Sequence, residues 1–195
     1  MKRKVLVTAL LVLCLALVGY GTAAYFTADG IATNVITAGT VSITLDETAV
    51  DATGAVSEFK DVQGVMPGAE ISKIVQVTNT GANDAWVRIS VDKRIELADG
   101  VTGDPDTDLV TMDLDNEHWT LKEDPDGHSY YYYNVALQPG AQTEPLFTTV
   151  TFDTSMGNMY QGSVAYIDVY AAAVQTAHNG TTAMEAAAAS WPTAE

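Results

Sequence analysis

The chain has 195 residues, with nine Lys or Arg against 25 Asp or Glu and a formal net charge of −16. An acidic excess of that size repels nucleic acid and anionic lipid, and leaves divalent cations and cationic surfaces as the electrostatic partners. A single cysteine excludes an internal disulfide framework and a zinc–cysteine cluster, so the fold must be stable on packing alone.

At the N-terminus, Lys2, Arg3 and Lys4 precede an apolar run from Val5 to Val18. That run has the length of a signal-peptide core and falls short of the ~20 residues a membrane-spanning helix needs. Gly19-Tyr20-Gly21-Thr22-Ala23-Ala24 then breaks the helix and supplies small side chains for a signal peptidase. Cleavage is expected after Ala24, with Thr22, Ala24 and Tyr25 as the processing residues. No polar or charged stop follows that would favour the alternative, a retained anchor helix. Residues 1–24 therefore read as a signal peptide, 25–182 as a β-sandwich domain and 183–195 as an alanine-rich tail, helical or without fixed structure. Removing the three basic residues of the leader takes the formal charge to −19, and Cys14 leaves with them. Val12-Leu13 are too bulky for lipid attachment at Cys14.

Downstream, apolar residues alternate with polar ones, as in half-buried strands. Val41, Ile43 and Leu45 form the first such series, and Ile71, Val75 and Val77 the second, which stops at the turn signal Asn79-Thr80-Gly81. Val87, Ile89 and Val91 alternate with Arg88 and Ser90, and the loop chemistry of residues 79–84 predicts that these last two strands pair as an antiparallel hairpin. The acidic stretch from Leu97 to Asn116 reads as a long surface insertion. Trp119–Lys122 and Tyr130–Val135, joined through Asp124-Pro125-Asp126-Gly127, predict a hairpin. Leu146–Phe152 and Val164–Val174 are the last strands, the latter with Ala165, Ile167, Val169 and Ala171 on one face. About seven strands without crossover helices predict an all-β, two-sheet antiparallel sandwich.

The motifs carry a resemblance. Gly19–Thr27, then Asn34-Val35-Ile36-Thr37-Ala38-Gly39-Thr40-Val41, look like the start of the TasA and camelysin family, exported by a SipW-type signal peptidase. Met66-Pro67-Gly68, Asn79-Thr80-Gly81 leading to Trp86-Val87-Arg88, Asp126-Gly127 leading to Tyr130–Tyr133, Leu137-Gln138-Pro139-Gly140 with Leu146-Phe147, and Ala173-Val174-Gln175 follow in the order that family shows. The resemblance implies a jelly-roll-like domain, secreted to the cell surface or the extracellular biofilm matrix. It also implies a homo-oligomeric fibre, or partnership with related matrix proteins, built by donating the N-terminal strand of one subunit to the next. The donor residues would be Tyr25, Phe26, Ile31, Val35 and Ile36. An extended segment can satisfy the unpaired groups and apolar groove of a strand-deficient sandwich, although Asp29-Gly30 interrupts the alternation. Packing of the same segment on its own domain is the alternative.

Camelysin-like proteins are also described as surface metalloproteases. A zinc protease needs paired histidines and a glutamate base. His118, His128 and His178 lie in separate segments without that spacing, so no catalytic residue is assigned and no cofactor is expected. Calcium is the one ion the sequence offers a place for, at Asp104, Asp106 and Asp108, whose alternate carboxylates suit a hard cation but lack the glycine and glutamate of an EF-hand. Asp113, Asp115 and Glu117 repeat the pattern. In the tyrosine run, Tyr131 and Tyr133 should face opposite to Tyr130 and Tyr132, giving one core pair and one surface stripe open to a sugar. A calcium- or carbohydrate-binding adhesin is thus the remaining alternative.

Overall fold

The computed structural model describes residues 35–38, 41–60, 66–123, 128–186 and 191, which belong to one compact unit. The predicted signal peptide and its processing residues Thr22, Ala24 and Tyr25 lie outside them. Among the described residues the fold is all-β, with β1 (Val35–Ala38), β2 (Ile43–Val50), β3 (Val56–Glu58), β4 (Glu70–Asn79) and β5 (Ala85–Glu96) in the first half. β6 (Val110–Met112), β7 (Trp119–Glu123), β8 (Ser129–Tyr133), β9 (Phe147–Phe152) and β10 (Val164–Gln175) complete it. Two sheets form, ordered β1-β10-β5-β8-β7 and β3-β2-β4-β9-β6. All pairings are antiparallel except β1 with β10. Among the described residues no helix is long and apolar enough to cross a membrane.

The alternating residues meet between the sheets. Val75 and Val77 of β4, Val87 and Ile89 of β5, Phe147 and Val150 of β9, and Ala171 and Ala173 of β10 are buried in one core with Trp119. Interdigitated apolar side chains from two facing sheets are what hold a sandwich without disulfides.

The expected hairpin between the second and third strand series does not form, because β4 and β5 belong to different sheets. Asn79 is the cause. Its side chain, fully buried, donates to the Asn83 and Leu137 carbonyls and accepts from the Gly81 amide. Residues 79–84 are thereby spent on carrying the chain across the sandwich. A Cβ on Gly81 would stand 2.8 Å from the Ser42 amide nitrogen, so the crossing also needs glycine there. The acidic insertion of residues 97–116 is likewise not all surface. It contains β6, whose Val110 is buried against the core and pairs with Phe152.

The alanine-rich tail is part of the packing. Ala183, Ala186 and Trp191 are buried on the outer face of the first sheet, against Trp86, Tyr132 and Val174. Thr182 and Glu185 fix its turn by a capping arrangement, the Glu185 amide donating to Thr182 Oγ1 while the Glu185 carboxylate accepts from the Thr181 amide and hydroxyl. The Trp191 ring lies edge-on to Tyr132, and the Arg88 guanidinium sits 4.0 Å from the Tyr130 ring and 4.8 Å from that of Trp191.

A polar corner ties the two sheets at the other side. Asp115 accepts from the Glu117 and His118 amides and binds His118 Nδ1 at 2.7 Å, and its own amide donates to the Leu146 carbonyl just before β9. The Tyr133 hydroxyl donates to the Glu144 carboxylate, and the Trp119 indole donates to the Glu144 carbonyl. Burial, then that carboxylate, pushes the Tyr133 hydroxyl up to about 12.

Two outcomes are expected. Phe147→Ala should cost about 3–5 kcal/mol, the usual loss for an aromatic truncated in a closed core, read as a lower urea midpoint at constant slope. The bond to Asp115 raises the His118 pKa, and the bond from the His118 amide lowers that of Asp115. His118 then contributes stability fully below about pH 6.5 and loses it as pH rises through its higher folded value. Asp115 contributes above about pH 4 and loses it as pH falls. The urea midpoint should therefore be highest between those limits, with the alkaline-side decline flattened in His118→Gln. An NMR titration placing His118 below the ordinary histidine value would refute this account.

Candidate functional site

The longest ladder among the described residues joins β10 to β5, from Val164 opposite Glu96 to Gln175 opposite Ala85. On its other side, among the described residues, β10 pairs with β1 over Ala171–Val174, with Val35 opposite Ala171 and Ile36 opposite Ala172. Among the described residues no strand lies along Val164–Asp168 on that side. A strand end left in this way offers backbone groups for another extended segment. The inward residues there, Ala165 and Ile167, are half-buried and pack against the core together with Leu45 and Ile71 from the second sheet. The result is a seam with an apolar floor.

Of the five proposed donor residues, Val35 and Ile36 stand in β1, paired with their own domain's β10. Tyr25, Phe26 and Ile31 lie outside the described residues.

Sequence reasoning missed a group in this seam. Lys73 of β4 is buried, with 5% of its surface accessible. Its Nζ lies 2.8 Å from a carboxylate oxygen of Glu47 on β2, 4.3 Å from the centre of the Phe59 ring after β3, and donates to the Ile167 carbonyl of β10 at 3.4 Å. Three segments of one sheet and a carbonyl of the other thus meet at one ammonium. The signal was present: Ile71, Lys73, Val75 and Val77 occupy the same face, so a lysine stood in an inward series.

The acidic candidates do not converge. Asp106 caps the short 3₁₀ turn at Thr107–Leu109 by accepting from the Asp108 amide, while Asp108 is exposed, 3.8 Å from Lys93 Nζ, and Asp104 is exposed. Asp113 is used by β9, accepting from the Thr148 and Thr149 amides and the Thr148 hydroxyl. Those bonds outweigh its partial burial and lower its pKa. Among the described residues no three His, Cys, Asp or Glu side chains are placed to hold a metal ion. His118 is engaged by Asp115, and His128 and His178 lie far from it in the chain and are exposed. In the tyrosine run, Tyr131 and Tyr133 pack with the inter-sheet core as expected, but Tyr132 on the outer face is buried beneath Trp191 and is no surface stripe.

No curated protein matches the chain. A family model described as "Camelysin metallo-endopeptidase" matches residues 1–113, more than half of the sequence and the span from the N-terminus through β6. With its fold, its motif order and that match in agreement, the chain belongs to the camelysin family.

Proposed function

We propose that this protein is a secreted structural subunit of the cell surface or extracellular matrix, and that its copies join by strand donation. The observation that carries the proposal is that, among the described residues, β1 pairs with Ala171–Val174 of the twelve-residue β10 and no strand pairs with Val164–Asp168 on that side. A segment of this sequence continuing the register of β1 would place Ile31 opposite Ile167 and Ala28 opposite Val164, where the described residues supply no partner on that side. Ile31 would then face the apolar floor of the seam, in the same inward series as Val35. Export by a SipW-type peptidase, with cleavage after Ala24, makes Tyr25 the new N-terminus and frees this segment to reach a neighbour. Backbone pairing gives such a joint its affinity, and the inward side chains give it register.

The family name points to a second reading, a metal-dependent endopeptidase. Among the described residues no three potential metal ligands are grouped, and His118 Nδ1 is held by Asp115. We therefore assign no step to a metal and favour the structural role.

Electron microscopy of the chain beginning at Tyr25 tests the first reading. Fibres are expected, and their loss is expected when residues 25–36 are removed; monodisperse particles from the intact chain across salt, pH and calcium would count decisively against it. Casein hydrolysis that is abolished both by a chelator and by His118→Ala would instead establish the endopeptidase.

A further inference from the structure

We propose that the outer face of the first sheet, at Tyr170, Ser90, Asp92 and Asp168, binds a polysaccharide that carries protonated amino groups. The residues come from β5 and β10, whose Ile89, Val169 and Ala171 fill the core, so the alternate residues point away from it. In the ladder Asp92 stands directly opposite Asp168, Ser90 opposite Tyr170 and Arg94 opposite Tyr166. The tail residues Ala183, Ala186 and Trp191 cover the end of this face at Trp86, Tyr132 and Val174. Beyond that end Asp92 and Arg94 are exposed, and Ser90, Tyr166, Asp168 and Tyr170 are half-buried. These side chains stand away from the plane of the sheet, so the site is the same whichever segment pairs along the β10 margin.

The tyrosines of this face indicate the chemistry of the ligand. The Arg88 guanidinium lies 4.0 Å from the Tyr130 ring, and the Arg94 guanidinium 4.0 Å from that of Tyr166 while it also bonds the Glu96 carboxylate. Each of those rings holds a cation of the chain itself. Tyr170 shares a row with Ser90 and Tyr130, and lies diagonal to Asp92 and two residues from Asp168 on the same side of β10, within reach of both carboxylates. Among the described residues Tyr170 has no ring or cation against it, and neither Asp92 nor Asp168 has a hydrogen-bond or ion-pair partner. Like charges directly opposite one another destabilise a sheet. Where the fold uses a carboxylate it supplies donors, as Thr78 and Gln142 do for Asp46 and Thr148 and Thr149 for Asp113. A ring beside two opposed carboxylates that nothing in the fold engages suits an ammonium from outside.

The form of the surface selects the source of that ammonium. A sheet face presents side chains and no free backbone groups, so an extended basic peptide finds no ladder from which to draw affinity. A pyranose needs none. Its apolar side can rest on an aromatic ring, its hydroxyls can donate to the aspartates and bond the hydroxyls of Ser90 and Tyr170, and an amino group on the ring sets a positive charge against the two carboxylates. Tyr130 and Tyr170 flank Ser90 across β8, β5 and β10, two strand separations apart or about 9.5 Å, a repeat that a polymer can follow and a lone metal ion cannot. The formal charge of −16 raises the local concentration of any cationic polymer around the chain.

The test uses the chain beginning at Tyr25 as wild type, as the double variant Asp92→Asn with Asp168→Asn, and as Tyr170→Ala, with fluorescent hexamers of glucosamine, of N-acetylglucosamine and of lysine as probes. Wild type should bind the glucosamine hexamer about tenfold more tightly than either of the others, and less tightly as salt is raised. The double variant and Tyr170→Ala should each weaken that binding about tenfold. Removing the opposed charges should leave the urea midpoint of the double variant unchanged or higher, a result that a purely structural role for the aspartates would not give. No binding of the glucosamine hexamer by wild type would overturn the proposal. So would equal binding by wild type and the folded variants, which would assign the attraction to the overall charge of the chain. Equal binding of the acetylated hexamer would overturn the part given to the ammonium, and lysine bound as tightly through the same residues would overturn the polysaccharide in favour of a basic peptide.

Discussion

The pairing of β5 with β10 is the interaction on which the rest of this structure depends. Both strands are twelve residues long and are matched along their whole length, so each contributes an unbroken inward face to the core and presents a second side that must be dealt with. β5 gives Arg88–Ser90 of its second side to β8, and β10 gives Ala171–Val174 to β1. Among the described residues β1 is much the shorter partner of β10, meeting it over four residues. A backbone ladder is only as complete as its shortest partner.

A second constraint comes from the absence of covalent staples. The fold closes its loops with carboxylates. Asp51 accepts from the Thr53 and Ala55 amides, Asp113 from those of Thr148 and Thr149, Asp115 from those of Glu117 and His118, and Asp153 from that of Ser155. Part of the acidic excess is thus structural, since aspartate is well suited to capturing amides that a turn leaves unpaired. It explains why Asp113 and Asp115, which resemble cation ligands in sequence, have their oxygens turned onto backbone amides. Cations are scarce by contrast, and one of the few, Lys73, is buried where the two sheets meet at the β10 margin.

The relation of the camelysin family name to this molecule follows from the same arrangement. The family model covers β1 to β6 and ends before the β7–β8 hairpin, whereas β10 and its margin come from the far end of the chain. Whatever the first half has in common with its relatives, the seam is built from both halves.

Much of the fold was legible from local pattern. The alternation at Val87, Ile89 and Val91, at Ala165 to Ala171, and in the β7–β8 hairpin fixed strand identity and facing, because a period of two is a property of the backbone and survives whatever the strand packs against. The amide content of residues 79–84 announced a turn, but its destination depended on Asn79 finding Leu137, 58 positions away. The tail read as a separate alanine-rich stretch because Tyr132 and Trp86, which bury Trp191, are distant in sequence and meet it only after the sheet has formed. Lys73 stood in an inward series in plain view, yet its role required Ile167 on a strand 94 residues later. The sequence by itself determined which residues form strands and which way they face, since those are short-range properties. The sheet each strand joins and the contact of Lys73 with Ile167 across the two sheets were decided by tertiary structure, since they are set by distant segments competing for the same edges and the same core.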